Sequence, residues 1–310
     1  MVVYIAIMND FKELIRTKRP NLSPNSITTY NSILRNLYKN VFDDDQMDAS
    51  KFDDTKSVLD YLHDLTPSKR KTVLSSLVII TDNPKYRDLM MNDIRDYSHE
   101  IAKQEKTPAQ KESWVEMDDI KRKWETLKRN TDLLYKKSHL TTGDLQDIQS
   151  FVMLSLLGGM FIPPRRALDY VQFKIRDINK EKDNYIDKAL LVFNTYKTSR
   201  TYGRQKVGIP PTLKYLLNKW IKKNPTDYLF FDTNMNPLTS VKLNQRLNKL
   251  FGGKKVGVNS LRHTYLTDKY GETIKTNRDL SNDMTSMGYG KYIYKVQWRL
   301  RKIIIHEPRT

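Results

Sequence analysis

Cysteine is missing from the 310-residue chain, which excludes disulfides, thiolate metal sites and a cysteine nucleophile together. Long apolar runs are missing too. A membrane helix needs about 20 consecutive apolar residues, and the most apolar opening stretch, residues 1–8, is far shorter. It also lacks the basic flank and small-residue cleavage site of a secretory signal, and reads instead as a buried first strand or a packed arm. No membrane association and no secretion are expected. Histidine is scarce and scattered: His63, His99, His139, His263 and His306 include no pair at ligand spacing. The glycine pairs Gly158-Gly159 and Gly252-Gly253 stand outside any phosphate-loop or dinucleotide pattern. No metal and no cofactor are expected, so any chemistry must run without a bound nucleotide.

Positive charge is abundant. Lys and Arg number 54 against 36 Asp and Glu, a net +18, and such a surplus points to a polyanion or an acidic membrane surface as partner. It is unevenly spread: residues 1–110 carry 16 basic and 16 acidic side chains, whereas 111–310 carry 38 and 20. With 18 Tyr, 10 Phe and 4 Trp, the chain has core material for about two domains. The polar stretch 103–113 holds one Pro and no apolar periodicity, which reads as a connection. The expected organisation is a helical unit over 1–105, a linker over 106–113 and a larger unit over 114–310.

Periodicity gives the first unit its helices. Ser23-Pro24 supplies a cap and a first-turn proline, and Ile27, Tyr30, Ile33, Leu34 and Leu37 follow at three-and-four spacing. Val58, Leu59, Leu62 and Leu65 repeat the pattern, as do Val73, Leu74, Leu77 and Val78. The second unit opens with helical runs over 114–137 and about 140–160, the latter capped by Thr141 or Thr142. Residues 189–193 and 206–209 read as short strands with 198–204 as the turn between them. Pro210-Pro211 starts another helix, and from Thr239 onward helical pieces are broken at Gly252-Gly253, Gly271 and Gly288. The expected class is α+β, mainly α, with a small antiparallel sheet in the larger unit.

Three segments suggest chemistry. In Pro163-Pro164-Arg165-Arg166-Ala167-Leu168-Asp169-Tyr170, arginines in apolar surroundings must meet a carboxylate or await an anion, because an unpaired buried charge is costly. Arg166 and Asp169 at helical spacing are one such structural pair. Lys197, in Tyr196-Lys197-Thr198-Ser199-Arg200, is either a solvated charge or a proton donor to a departing alkoxide. In Val258-Asn259-Ser260-Leu261-Arg262-His263-Thr264-Tyr265, Leu261 and Tyr265 share a helical face while Arg262 and His263 project elsewhere. Two arginines and a lysine from such distant segments could converge on one phosphate.

The order of these segments resembles that of the tyrosine recombinases, the phage-type integrases, over nearly the whole chain. Their first arginine box, R-x-x-E/D, is matched by Arg166-Ala167-Leu168-Asp169; their K-T-x-K/R hairpin by Lys197-Thr198-Ser199-Arg200; their H-x-L-R-H-T box by Asn259-Ser260-Leu261-Arg262-His263-Thr264. The stretch from Leu22 to Tyr30 is similar to the opening helix of the family's core-binding domain. Two departures stand out. Asn259 occupies the usual histidine place and cannot exchange a proton near neutral pH. The later L/M-G-H-S box is degraded. With Met284-Thr285-Ser286-Met287 as that box, Ser286 replaces histidine and Tyr294 falls eight residues on, whereas Met287-Gly288-Tyr289 would lead to Trp298, which has no hydroxyl.

The resemblance implies a site-specific recombinase or integrase of a virus or mobile element, working through a 3′-phosphotyrosine without ATP or metal. Tyr294 is then the nucleophile, with Tyr292 as runner-up. Arg166 and Arg262 hold the non-bridging oxygens, Lys197 protonates the leaving 5′-oxygen, and His263 donates a further hydrogen bond. The implied partner is double-stranded DNA, with assembly into a homotetramer on it. Location follows the DNA: host cytoplasm or nucleus, or the virion. Expected DNA-contacting side chains are Arg16, Lys18, Arg19, Lys69, Arg70 and Lys71 in the first unit, and Arg165, Arg200 and Arg204 in the second. The apolar Ile303-Ile304-Ile305 is a candidate plug for a neighbouring subunit or a strand packed on its own domain. Two other readings use the same residues: a type IB topoisomerase-like enzyme, and a catalytically impaired DNA-binding accessory protein, which Asn259 and Ser286 favour.

Overall fold

The computed structural model describes residues 10–44, 46–102 and 105–286, in two units, 1–105 and 106–310, each with its own hydrophobic core. Residues 1–8, Tyr289, Tyr292, Tyr294 and residues 303–305 lie outside the described residues, as does the side chain of Ser286.

In the first unit α1 (Lys12–Lys18) leads to α2 (Pro24–Phe42). Ser23 caps α2 by accepting the Ser26 N–H at 3.1 Å, Pro24 takes the first turn, and Asp43 ends the helix in the left-handed region at φ 46°. The apolar spacing buries Ile27, Leu34 and Leu37, with Tyr38. A 3₁₀ turn, Ala49–Asp53, drives Phe52 among the rings of Phe11, Tyr38 and Phe42. Then come α3 (Thr55–His63), α4 (Pro67–Thr81) and α5 (Pro84–Ala102), with α5 packed on α4. Arg70 of α4 clamps Asp93 of α5 bidentately, Nε donating at 2.9 Å and Nη2 at 2.6 Å to a carboxylate only 1% exposed.

The second unit begins in the expected linker, which holds a short helix, α6 (Pro108–Glu112), where Thr107 and Gln110 form a reciprocal capping box. Next are α7 (Met117–Leu134) and α8 (Thr142–Leu157). Thr141 caps α8, and Asp144 answers it from the third position while accepting from Lys137 Nζ at 2.7 Å; these donors hold the Asp144 carboxyl at a pKa of about 2. From Gln149 to Leu157 every residue of α8 is buried, so it is the central rod of the core. Each fully buried Leu, Ile or Phe there contributes roughly 1.5–3 kcal/mol.

Around that rod lie α9 (Leu168–Val171), then a three-stranded antiparallel sheet of β1 (Tyr185–Asp187), β2 (Leu190–Phe193) and β3 (Gln205–Gly208), with α10 (Ser199–Tyr202) between β2 and β3. Tyr185 pairs with Val192, and Phe193 with Gln205. The chain continues through α11 (Pro211–Lys223), α12 (Ser240–Leu250) and α13 (Val258–Ser286). The class is the α+β, mainly α one expected. Three local expectations are corrected. β1 is an unforeseen strand; the turn over 198–204 contains a helical turn; and Gly271 sits inside α13 without breaking it. Gly252 and Gly253 do break the chain, because both take left-handed φ, +71° and +85°. Among the described residues no helix is long and apolar enough to cross a membrane.

Candidate active site

The first arginine segment is built off the end of α8. Gly159, at φ +81°, lies so close to α13 that a Cβ there would stand 2.6 Å from Tyr265 Cδ2. Pro163 and Pro164 then carry the chain into Arg165 and Arg166. Tyr170 of α9 is fully buried against the rings of Phe173 and Phe193, at 6.0 and 5.7 Å, and anchors the segment. Burial drives the Tyr170 hydroxyl pKa upward, so it stays a neutral phenol.

Asp169, 1% exposed, does not pair with Arg166 as the three-residue spacing allowed. It accepts from Arg165 Nε at 2.8 Å, four residues back. Arg165 also donates Nη1 to Gln205 Oε1 on β3 at 2.8 Å, and its guanidinium lies over the Phe193 ring at 4.1 Å and the Tyr196 ring at 5.1 Å. Arg166 is half-buried, and its side chain has no hydrogen bond or ion pair among the described residues.

The hairpin bearing Lys197 is tied to the same segment by a side chain that sequence reasoning passed over. Asn184, 6% exposed, donates its amide to the Asp169 carbonyl at 3.0 Å and to the Thr195 carbonyl at 2.7 Å. Its Oδ1 accepts the N–H groups of Asn194 and Thr195, both at 2.9 Å. One asparagine therefore satisfies four polar groups and locks the exit of β2 against α9. Tyr196 is buried and donates its hydroxyl to the Gly203 carbonyl at 2.8 Å, closing the 197–203 loop. Lys197 stands exposed on that loop, with no partner among the described residues.

The third segment opens α13. Val258 N–H donates to Asn244 Oδ1 at 3.0 Å, Leu261 is fully buried, and Thr264 Oγ1 donates to the Val115 carbonyl at 2.7 Å. With those positions held inward, Arg262 lies on the flank and His263 is exposed. Arg262 Nη1 donates to Asn259 Oδ1 at 3.2 Å, the residue at the expected histidine position. Arg262 has its pKa lowered, first by burial and then by repulsion from Arg166, with Arg165 adding to it and Asp169 opposing it. Asp169 has its pKa raised by burial, against the pull of Arg165, Arg166 and Arg262. Segments almost a hundred residues apart thus share one electrostatic environment. Among the described residues it holds three arginines and a single buried carboxylate, one oxygen of which, Oδ1, has no hydrogen-bond partner.

Several expected DNA-contacting residues are engaged elsewhere. Arg70 is committed to Asp93, and Lys71 lies 3.2 Å over the Tyr97 ring. Arg204 donates to Asn194 Oδ1 at 2.7 Å and to the Lys180 carbonyl at 3.1 Å. Arg165 is engaged too, by Asp169 and Gln205. Arg16 pairs with Glu13 on the surface of α1, and Arg19 Nη1 meets the Lys18 carbonyl at 3.2 Å. Lys18, Lys69 and Arg200 are exposed, and their side chains are unpartnered among the described residues. Neither Asn184 nor Gln205 carried a sequence signal, since a lone amide in a polar stretch looks like any turn residue.

No protein-family pattern matches the sequence, and no curated protein matches it. Among solved structures, a lambda integrase fragment, crystallised as a dimer bound to a COC′ core site, shares 12% identity at a TM-score of 0.41, over 86% of this chain and 94% of that one. The XerH site-specific recombinase bound to its difH substrate before cleavage shares 14% identity at 0.40, over 96% and 95%. Its complex with palindromic difH after cleavage shares 13% identity at 0.40, over 97% and 98%. Likeness of this degree says nothing about which residues act.

Proposed function

We propose that this chain is a tyrosine recombinase that cuts and rejoins double-stranded DNA of a virus or mobile element, acting as a homotetramer on the duplex. One observation carries the reading: Arg166 and Arg262, the arginines of the two sequence boxes, repel each other while the nearest buried carboxylate is spent on Arg165. An unneutralised pair of guanidinium groups is costly in isolation and is relieved by a phosphodiester, whose charge grows as the phosphorus becomes five-coordinate.

In the reaction, the Tyr294 hydroxyl oxygen bonds to phosphorus as the bond to O5′ breaks. The phenolic proton leaves to solvent, because Asn259 has no titratable nitrogen to receive it. Lys197 protonates the departing O5′, and Arg166 and Arg262 neutralise the non-bridging oxygens. His263 adds a hydrogen bond. The phosphotyrosine keeps the energy of the ester, so a 5′-hydroxyl of the partner strand can reverse the step without ATP.

Incubation with a pool of nicked duplexes of randomised sequence, from which the short 5′-hydroxyl strand diffuses away, is expected to trap a denaturant-resistant protein–DNA adduct. Mass spectrometry should place the linkage on Tyr294, and Tyr294→Phe should abolish it; linkage at Tyr292 moves the role there. The Asn259–Arg262 hydrogen bond favours a second reading, a DNA-binding accessory protein with impaired chemistry. Tight binding to the same pool with no adduct would establish that reading and sink the first. Relaxation of supercoiled plasmid without joined duplexes would instead mark a type IB topoisomerase.

A further inference from the structure

Arg165 immediately precedes the expected catalytic arginine, yet its guanidinium spans two parts of the site that no peptide segment joins directly. On one side it grips Asp169, the acidic residue of the first box, at 2.8 Å. On the other it donates to Gln205 on β3 at 2.8 Å and covers the rings of Phe193 and Tyr196, which flank the loop entrance just before Lys197. Its side chain is 17% exposed, and that of Asp169 is 2% exposed. Both contacts use the fixed fork of a guanidinium, which a lysine ammonium cannot reproduce.

We propose that Arg165 is a positioning residue that couples the first arginine box to the Lys197 loop and so sets the proton donor against the phosphate held by Arg166. The inference rests on the recombinase reading and adds to it a residue that touches neither phosphate nor nucleophile. Diverting Asp169 to Arg165 also keeps Arg166 unpaired for its anion. Without Arg165, Tyr196 and Gln205 lose their polar link to α9, and of the described hydrogen bonds that tie the root of the loop to α9 those of Asn184 remain.

The test uses the full chain and the adduct-forming duplex in two forms, one with oxygen and one with sulfur at the bridging 5′ position. A thiolate leaves without being protonated, so the sulfur substrate bypasses Lys197. General acid catalysis contributes about 10²–10⁴-fold. Arg165→Gln is therefore expected to slow cleavage of the oxygen substrate by about 10²-fold and to recover most of that loss on the sulfur substrate. Lys197→Ala should behave alike, Arg166→Gln should be slow on both, and Arg165→Lys should recover only part of the oxygen rate. Equal slowing of Arg165→Gln on both substrates, or no slowing, overturns the proposal. Should Arg165→Gln fail to fold, Gln205→Ala, which spares the Asp169 pair, is expected to show the same sulfur-dependent recovery, and its absence is equally fatal.

Amide hydrogen exchange separates this proposal from the reading beneath it. In Arg165→Gln the N–H groups of Ser199, Thr201, Tyr202 and Gly203, all bonded within the loop, should exchange faster while those of α8 stay unchanged. Unchanged loop exchange overturns the coupling even where cleavage proceeds. Faster loop exchange in a chain that forms no adduct with either substrate supports the coupling and removes the recombinase reading.

Discussion

At the scale of single residues, the site is defined by which charges are answered and which are left open. Arg165, Arg70 and Arg204 are each satisfied by protein oxygens, and a satisfied arginine holds structure together. Among the described residues the Arg166 side chain has no such partner, and that of Arg262 meets only the neutral Oδ1 of Asn259. Their mutual repulsion, strengthened by burial, is the arrangement expected of groups preorganised for an anion. Arg166→Ala and Arg262→Ala are each expected to lower the rate of adduct formation about 10²–10³-fold. Residues that act as a unit are not additive, so the double variant should lose far less than the product of the two. Single-turnover assays of the four proteins check this. A double variant whose loss equals that product would show that the two guanidinium groups act on separate oxygens without cooperation.

Secondary-structure elements make that charge arrangement possible. The buried rod α8 delivers the first arginine segment, and α13 delivers the second. They meet where Gly159 faces Tyr265. Gly159→Ala combines a left-handed φ of +81° with a Cβ 2.6 Å from the tyrosine ring. The backbone strain costs of order 1 kcal/mol and the overpacking about 1–3 kcal/mol. A loss of roughly 2–4 kcal/mol in denaturant unfolding is therefore expected, together with slower cleavage, because α13 must move and take Arg262 with it. Normal stability would mean that the ring simply swings aside.

Most of these elements were legible beforehand. Ser23-Pro24, Thr141 and Pro210-Pro211 announce helices because caps and first-turn prolines act locally. The strand 185–187 was not, since its three residues, Tyr-Ile-Asp, are too few to display alternation. Gly271 misled because one helical glycine costs only about 1 kcal/mol, which a 29-residue helix absorbs. Within the proposed site, Arg166, Lys197 and Arg262 are singled out in the sequence by their order in the chain. The Arg165–Asp169–Gln205 link did not, because Gln205 lies 40 residues from Arg165 and only the fold brings it near. The spacing from Arg166 to Asp169 pointed to the wrong partner: both arginines precede the short helix α9, and Asp169 takes Arg165, which Gln205 and the Phe193 ring also hold in place.

For the whole molecule the governing quantity is the distribution of charge. The surplus of 18 lies beyond residue 110, so contacts to a duplex should be strongly electrostatic and fall steeply with salt. Each neutralised phosphate contributes a slope of about −0.9 in log K against log salt. Side chains expected at that surface now divide into two groups. The side chains of Lys18, Lys69 and Arg200 are exposed and unpartnered among the described residues, so their replacement by Ala should weaken binding and reduce the slope by about 1 for each residue that contacts a phosphate. Arg70 belongs to the other group, because it answers an aspartate that is 1% exposed. Removing one partner of a fully buried pair costs about 3–5 kcal/mol, most of it from the charge left behind; with Arg70 19% exposed, the cost here falls below that range. Arg70→Ala should accordingly lower the melting temperature sharply and leave the salt slope of the remaining folded protein unchanged, and Asp93→Asn should share the stability loss. Binding titrations over 50–200 mM salt, run below the melting transition, decide the matter. A reduced slope with unimpaired stability in Arg70→Ala would return this arginine to the DNA surface and dissolve the distinction between answered and open charges.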